Sequence, residues 1–355
     1  MNAARCLPVA LSLAGALACS GVVAAAEHPA SACAGERDAS ARLACYDRFF
    51  RTSGTTPGVP PAPLAAASAA PAVVASAAPL ASPMSRLWEL APDDKRGTFA
   101  VRTYRPNYLL PIHYTSSLGV PSSPTHPAQA GVGDDFQRTE AKFQISLRAK
   151  ALEDFVLPGA DLWLAYSQIS IWQIYNHPES SPFRSSDYQP EAIYVVPLGD
   201  RGAGFGLPGG WRWRMVQLGV THQSNGLGDP LSRSWNRVWL GAGVERDAVS
   251  LALRVHQRVR FGARDDNPDI QHYLGRGELL ASYATAGTAA ALTWRTGSGF
   301  FRRGSLQLDW SYPVRRSQPE GLRWYVQAFT GFGETLLDYN HRQTSVGAGI
   351  ALFQF

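Results

Sequence analysis

Beyond its first thirty residues the chain has no apolar run long enough to cross a membrane as a helix, which excludes a helical membrane protein. Charge is sparse as well, with Asp, Glu, Lys and Arg making up only 17% of the 355 residues. The 33 basic residues outnumber the 28 acidic ones, but they stand singly and form no block or stripe, so the formal charge of +5 does not read as a nucleic-acid surface. Cysteine is scarce: Cys6 and Cys19 fall near the start, and Cys33 and Cys45 are the one pair after it.

What is present at the start is the layout of a secretory signal over residues 1–26: Arg5, an apolar run from Leu7 to Ala18, then the small residues Ala24 to Ala26. Export is therefore expected. Lipidation at Cys19 is the alternative, which the preceding Ala16-Leu17-Ala18 fits poorly. In an oxidising periplasm Cys33 and Cys45 are expected to close a disulfide on a small segment, residues 27–54, where Ala39 to Ala44 favour a helix. That bridge reads as a staple with no catalytic role. From Thr55 to Met84 the chain is almost all Pro, Ala, Ser and Val, which cannot bury enough apolar surface to fold, so residues 55–98 are expected to be a disordered Ala/Pro linker.

Residues 99–355 change character to short segments of period two, punctuated by Gly, Pro, Asp and Asn. Twelve segments are expected to be strands, the fourth over 190–199 and the eighth over 272–285. Phe143, Ile145, Leu147 and Ala149 share one face, with Lys142, Gln144, Ser146 and Arg148 on the other. Leu306, Leu308, Trp310 and Tyr312 likewise oppose Ser305, Gln307, Asp309 and Ser311. An even number of strands about ten residues long, an export signal and a terminal Phe355 fit an all-β, twelve-stranded antiparallel transmembrane barrel of the outer membrane. Lipid forces such a sheet to close with its apolar face outward. A barrel this narrow is expected to have a plugged polar lumen, with Arg254, Arg258, Arg260 and Asp309 among the filling side chains.

One strand breaks its own rule. Val216, Leu218 and Val220 set a lipid-facing row, and His222 and Ser224 continue it. Unpaired polar groups in hydrocarbon cost several kcal/mol, so their presence calls for a use. If the following hairpin is symmetric about Asp229, Asn236 stands opposite His222 and heads a second outward row with Val238 and Leu240. Ser224 as nucleophile, His222 as general base and Asn236 as the residue orienting the imidazole follow the logic of serine hydrolases. The bland reading is that His222 and Ser224 belong to the polar girdle at the membrane rim.

The stretch His222-Gln223-Ser224-Asn225-Gly226, followed by Asp229-Pro230 and Ser232-Arg233-Ser234-Trp235-Asn236-Arg237, resembles the signature of the outer membrane phospholipase A family. Tyr104 to Leu109, Glu179 to Arg184, Asp265 to Ile270, and Gly333-Glu334 with Asp338-Tyr339-Asn340 agree in order, so the resemblance spans about residues 100 to 355. It implies a calcium-dependent barrel that hydrolyses the sn-1 and sn-2 acyl esters of phospholipids and lysophospholipids and works as a homodimer. It also implies the catalytic roles of His222, Ser224 and Asn236, and a calcium site from the Leu227 carbonyl, Ser232, and Ser180 supplied by the partner subunit. Asp266, and with it Asp229, match acidic calcium-binding residues of neighbouring loops. Taken singly, Ser180, Ser232 and Asp266 read as turn residues; together with the signature they read as ligands. Gln168 corresponds to a glutamine at the family's dimer interface, on a flat barrel face where an outward amide needs a partner; Trp172 on the same row lines the acyl cleft or belongs to the girdle. The competing reading is a catalytically inactive structural barrel or small porin.

Overall fold

The computed structural model describes residues 33, 35–50, 82–129, 131–133, 135–260, 265–285, 287–297, 299 and 302–352. The expected signal, the linker as far as residue 81 and the terminal Phe355 lie outside the described residues. The chain divides into two compact units, residues 1–74 and 75–355. In the first, helix α1 (Ala39–Phe50) begins where the Asp38 carboxylate accepts hydrogen bonds from the backbone N–H groups of Ser40 (3.0 Å) and Ala41 (2.9 Å). Those bonds, Ala41's foremost, hold the exposed Asp38 carboxyl below its usual range. A disulfide joins Cys33 to Cys45 with their Cα atoms 5.6 Å apart, the expected staple.

The second unit is a closed antiparallel barrel of twelve long strands. In chain order these are β1 (Asn107–Thr115), β2 (Thr139–Leu152), β3 (Asp161–Trp172), β4 (Phe183–Pro197), β5 (Arg212–Ser224), β6 (Ser234–Arg246), β7 (Val249–Val259), β8 (Gly277–Ala284), β9 (Ala289–Thr296), β10 (Gly304–Pro313), β11 (Leu322–Phe332) and β12 (Arg342–Leu352). Each pairs with the next, and β12 returns to β1 with Val346 opposite Tyr114, so no long edge is left. Two-residue bridges, Arg102–Thr103 and Phe205–Gly206, flank the barrel strands.

The burial pattern is that of a membrane protein turned inside out relative to a soluble one. Leu164, Leu218, Val220, Leu240, Leu253, Leu308 and Val346 are exposed on the outer face, while Lys142, Arg148, Glu191, Gln217 and Asp309 are buried in the lumen. Several of the lumen charges are paired, while the Arg148 guanidinium lies over the Trp88 and Trp163 rings at 4.8 and 5.0 Å from their centroids. Lys142 Nζ donates to Gln327 Oε1 and Glu334 Oε1, both at 2.7 Å, and the Arg184 guanidinium bridges Glu140 and Asp338. Asp309 Oδ1 accepts from the Tyr325 hydroxyl and the Gln327 amide, both at 2.8 Å. Such pairing offsets the desolvation that a buried ion would otherwise suffer alone.

The linker ends earlier than the sequence pattern implies. Residues 82–98 form a plug that begins with helix α2 (Pro83–Trp88), capped by the Ser82 hydroxyl accepting from Ser85 N–H at 3.0 Å. The Glu245 carboxylate takes hydrogen bonds from the Ser82 hydroxyl and from Met84 N–H. Glu89 pairs with Lys150 at 2.9 Å and Arg102 at 3.2 Å, and Trp88 meets Tyr104 and Trp163 edge-on, both at 5.9 Å between centroids. A helix of six residues has no room for a periodic pattern, which is why composition alone ran the linker past it. Trp88 is 3% exposed, so Trp88→Ala is expected to cost about 3–5 kcal/mol by opening a cavity beneath the plug. Urea titration of the detergent-solubilised barrel, read by its electrophoretic mobility, checks this; an unmoved midpoint would show that the plug does not brace the barrel.

Three boundaries also move. β4 starts at Phe183 and not at 190, because Pro190 on the outward row splits the pattern while Arg184, Ser185 and Asp187 face inward upstream of it. The expected eighth strand loses its first residues to helix α3 (Ile270–Leu274), which packs with Trp235, Leu336 and Tyr339 over the end of the lumen opposite the plug. Arg260 lies beyond β7 with 70% of its side chain exposed, so it does not fill the lumen as Arg254 does. With both ends occupied, the interior has the plugged form expected of it and not that of an open pore.

Candidate active site

Strand parity decides what β5 shows to lipid. Gln217 and Thr221 turn inward and are buried, the latter accepting from Trp239 Nε1 at 3.0 Å, so the even residues between and beyond them turn outward. His222 is exposed on that face, and Ser224 is half-buried two residues further along it. The β5–β6 register places His222 directly opposite Asn236 and Ser224 opposite Ser234. His222 Nδ1 and Asn236 Oδ1 are 2.8 Å apart. An amide oxygen only accepts, so Nδ1 carries the proton and Nε2 presents its lone pair as a base.

The row through Ser224 continues across the neighbouring strands: Tyr188 on β4 faces Ser224, and Gln168 on β3 faces Tyr188. The Gln168 amide does not wait for a partner. Its oxygen accepts from the Tyr166 hydroxyl and its nitrogen donates to Ser170 Oγ, both at 3.1 Å, so its own strand already satisfies both ends of the group. Trp172 stacks on Phe183 with centroids 5.5 Å apart and donates from Nε1 to the Ser181 carbonyl, an aromatic anchored near the strand end.

The turn joining β5 to β6 carries most of the remaining candidates. Ser232 Oγ donates to Asp266 Oδ2 at 2.6 Å, and the Asp266 carbonyl accepts from Ser123 Oγ (2.7 Å) and Thr125 Oγ1 (2.8 Å). Asp229 faces His126 at 3.6 Å, and donor atoms of His126, Asp229 and Asp266 lie within 4.8 Å of one another. Leu227 is exposed, its N–H directed to the Asn225 side chain. Ser180 stands apart in the β3–β4 connection, exposed and in the left-handed region at φ 59°, where it ends a short turn. Burial holds the Arg233 guanidinium below its usual range, and it donates to the Pro230 and Ser232 carbonyls at 3.0 and 2.7 Å. Sequence reasoning passed over Asn225, Arg233 and His126. The first two were in view within the quoted signature; His126 sits in a loop with no motif around it.

A closed barrel with an apolar outer wall, carrying a histidine–asparagine pair beside a serine on that wall, defines a membrane-embedded hydrolase. The chain belongs to the phospholipase A1 family, whose sequence profile matches residues 84–352, and it is a β-barrel of the outer membrane. It is 37% identical over 278 residues to the putative phospholipase A1 of Neisseria meningitidis serogroup B, covering 76% of this chain and 69% of that protein. Identity to phospholipase A1 of Escherichia coli K12 is 34% over 258 residues, covering 72% of this chain and 82% of the relative. Among solved structures, the outer membrane phospholipase dimer of Salmonella typhi with bound calcium superposes with a TM-score of 0.62 at 32% identity, covering 72% of this chain and 92% of that one. An Escherichia coli outer membrane phospholipase A in which an active-site asparagine is replaced by alanine gives a TM-score of 0.61 at 32% identity, over 73% and 93% of the two chains.

Proposed function

We propose that this phospholipid-hydrolysing enzyme cleaves the sn-1 and sn-2 acyl esters of phospholipids and lysophospholipids by a Ser224/His222/Asn236 mechanism, with calcium, as a homodimer. The observation that carries the proposal is the 2.8 Å contact between His222 Nδ1 and Asn236 Oδ1 on the lipid-facing wall. With Nδ1–H committed to Asn236, Nε2 takes the Ser224 proton as the hydroxyl attacks the ester carbonyl, then returns it to the departing glycerol oxygen. Water hydrolyses the acyl-enzyme by the same relay. The outward placement lets a lipid reach Ser224 sideways from the membrane, without passing through the lumen.

The donors around the β5–β6 turn suit calcium: the Ser232 hydroxyl, the Asp266 and Asp229 carboxylates and a backbone carbonyl at Leu227 are hard oxygen ligands. Bound there, calcium supplies positive charge for an oxyanion developing beside Ser224. The Salmonella typhi structure, a dimer with calcium, supports both the ion and the assembly. In the dimer Ser180 of the partner subunit would complete the ligand set, with the flat face around Gln168 as the contact. The signal over residues 1–26 and the periplasmic segment 27–54 belong to the same proposal.

Asn236→Ala is expected to lower kcat by about 10- to 100-fold, less than loss of the nucleophile, because an amide orients the imidazole without contributing a charge. Asn236→Asp keeps the acceptor and is expected to retain most of the rate. Steady-state kinetics on mixed micelles check both; an alanine variant as fast as wild type would remove Asn236 from the mechanism.

A further inference from the structure

The residue immediately after the nucleophile is buried at 3% exposure, although it sits in a surface turn. Asn225 Oδ1 accepts from the N–H of Leu227 at 3.3 Å and from the N–H of Arg233 at 2.9 Å. Its Nδ2 donates to the Leu231 carbonyl at 2.8 Å, and its own backbone N–H donates to the Arg233 carbonyl at 3.0 Å. One side-chain oxygen thus spans two peptide groups that adjoin two of the proposed calcium ligands, Leu227 and Ser232. The first carries the N–H of Leu227, and the second joins Ser232 to Arg233. The second peptide is also held by Arg233 Nη1, which donates to the Ser232 carbonyl at 2.7 Å.

The turn is confined from its other side as well. Gly226 adopts φ +67°, and a β-carbon there would lie 2.9 Å from Cε2 of the Tyr188 ring. Backbone that could otherwise relax around a missing hydrogen bond is therefore boxed between an asparagine and a tyrosine ring.

We infer that Asn225 is a positioning residue for the calcium half-site, setting the separation of Leu227 and Ser232 before any partner subunit arrives. The inference rests on the calcium reading above. Its signature is a change in calcium response with the chemistry of Ser224 left intact, because Asn225 touches neither the imidazole nor Asn236. A brace with a purely structural role would instead lower the folded fraction without moving the calcium midpoint of the molecules that remain folded.

The test is the initial rate of the full-length, detergent-solubilised enzyme on mixed micelles across a calcium series, for wild type, Asn225→Ala and Asn225→Asp. Loss of two acceptor contacts is expected to raise the half-activating calcium concentration about tenfold in Asn225→Ala. The rate at saturating calcium should recover to within about threefold of wild type. Asn225→Asp keeps the acceptor and should stay near the wild-type midpoint. Should Asn225→Ala fail to fold, Asn225→Val, which also removes the acceptor oxygen while filling more of the space, carries the same expectation. A calcium-dependent wild type with an unmoved midpoint in the alanine or valine variant overturns the role of Asn225 alone. A wild type indifferent to calcium overturns it together with the calcium reading.

Discussion

Ser224→Ala is expected to lower kcat for phospholipid hydrolysis by about 10⁵-fold while the barrel still folds. The size follows from the arrangement of the three side chains. In the proposed mechanism His222 Nε2 takes the proton of Ser224, the residue two positions along on the same lipid-facing row. Without it, the imidazole and Asn236 have no bond to make with the ester, and water has to attack at an apolar wall. Ser224 lies at the last position of β5, where loss of one oxygen opens no core cavity, so folding is expected to survive. The check pairs kinetics with the heat-dependent gel mobility of a folded barrel. Retention of more than about a tenth of wild-type activity in a folded variant would place the nucleophile elsewhere, because nucleophile loss alone removes several powers of ten.

The parity behind that expectation is readable in the sequence, because side chains on a strand alternate with a period of two and lipid fixes which face is apolar. The partner across the hairpin was readable too. Asp229 lies midway between His222 and Asn236, and a symmetric turn leaves little freedom for the register once both strands must keep their apolar rows outward. Strand number and closure followed from the same alternation.

Features held by single contacts were harder to see. The plug depends on Trp88, Glu89 and the Ser82–Glu245 contact, which join the segment to residues more than sixty positions away and leave no local repeat. The clamp by Asn225 was hidden for the opposite reason: every bond it makes is local, but whether an asparagine side chain turns inward to its own backbone is decided by turn geometry and not by residue type. Gln168 shows a third limit. Its outward position followed from parity, whereas its satisfaction by Tyr166 and Ser170 depends on rotamers along one strand.

Stripping calcium with EDTA is expected to lower the hydrolysis rate of the wild-type enzyme by about 10³-fold, the scale lost when an oxyanion loses its main stabilising charge. Restoration should follow added calcium and not magnesium at the same concentration. The proposed donors explain the selectivity: a carbonyl at Leu227, the Ser232 hydroxyl already shared with Asp266, and the Asp229 and Asp266 carboxylates make a set of mixed oxygen types. Magnesium demands near-octahedral ligands and gives up its waters reluctantly, while calcium accepts longer bonds and uneven coordination. If assembly supplies the missing ligand, a dimer cross-linked through the face around Gln168 should need less calcium than the free protein, and Ser180→Ala should erase that advantage. Equal rates with EDTA and with calcium, in a preparation shown by sedimentation to be dimeric, would leave the oxyanion to backbone donors alone and remove the ion from the mechanism.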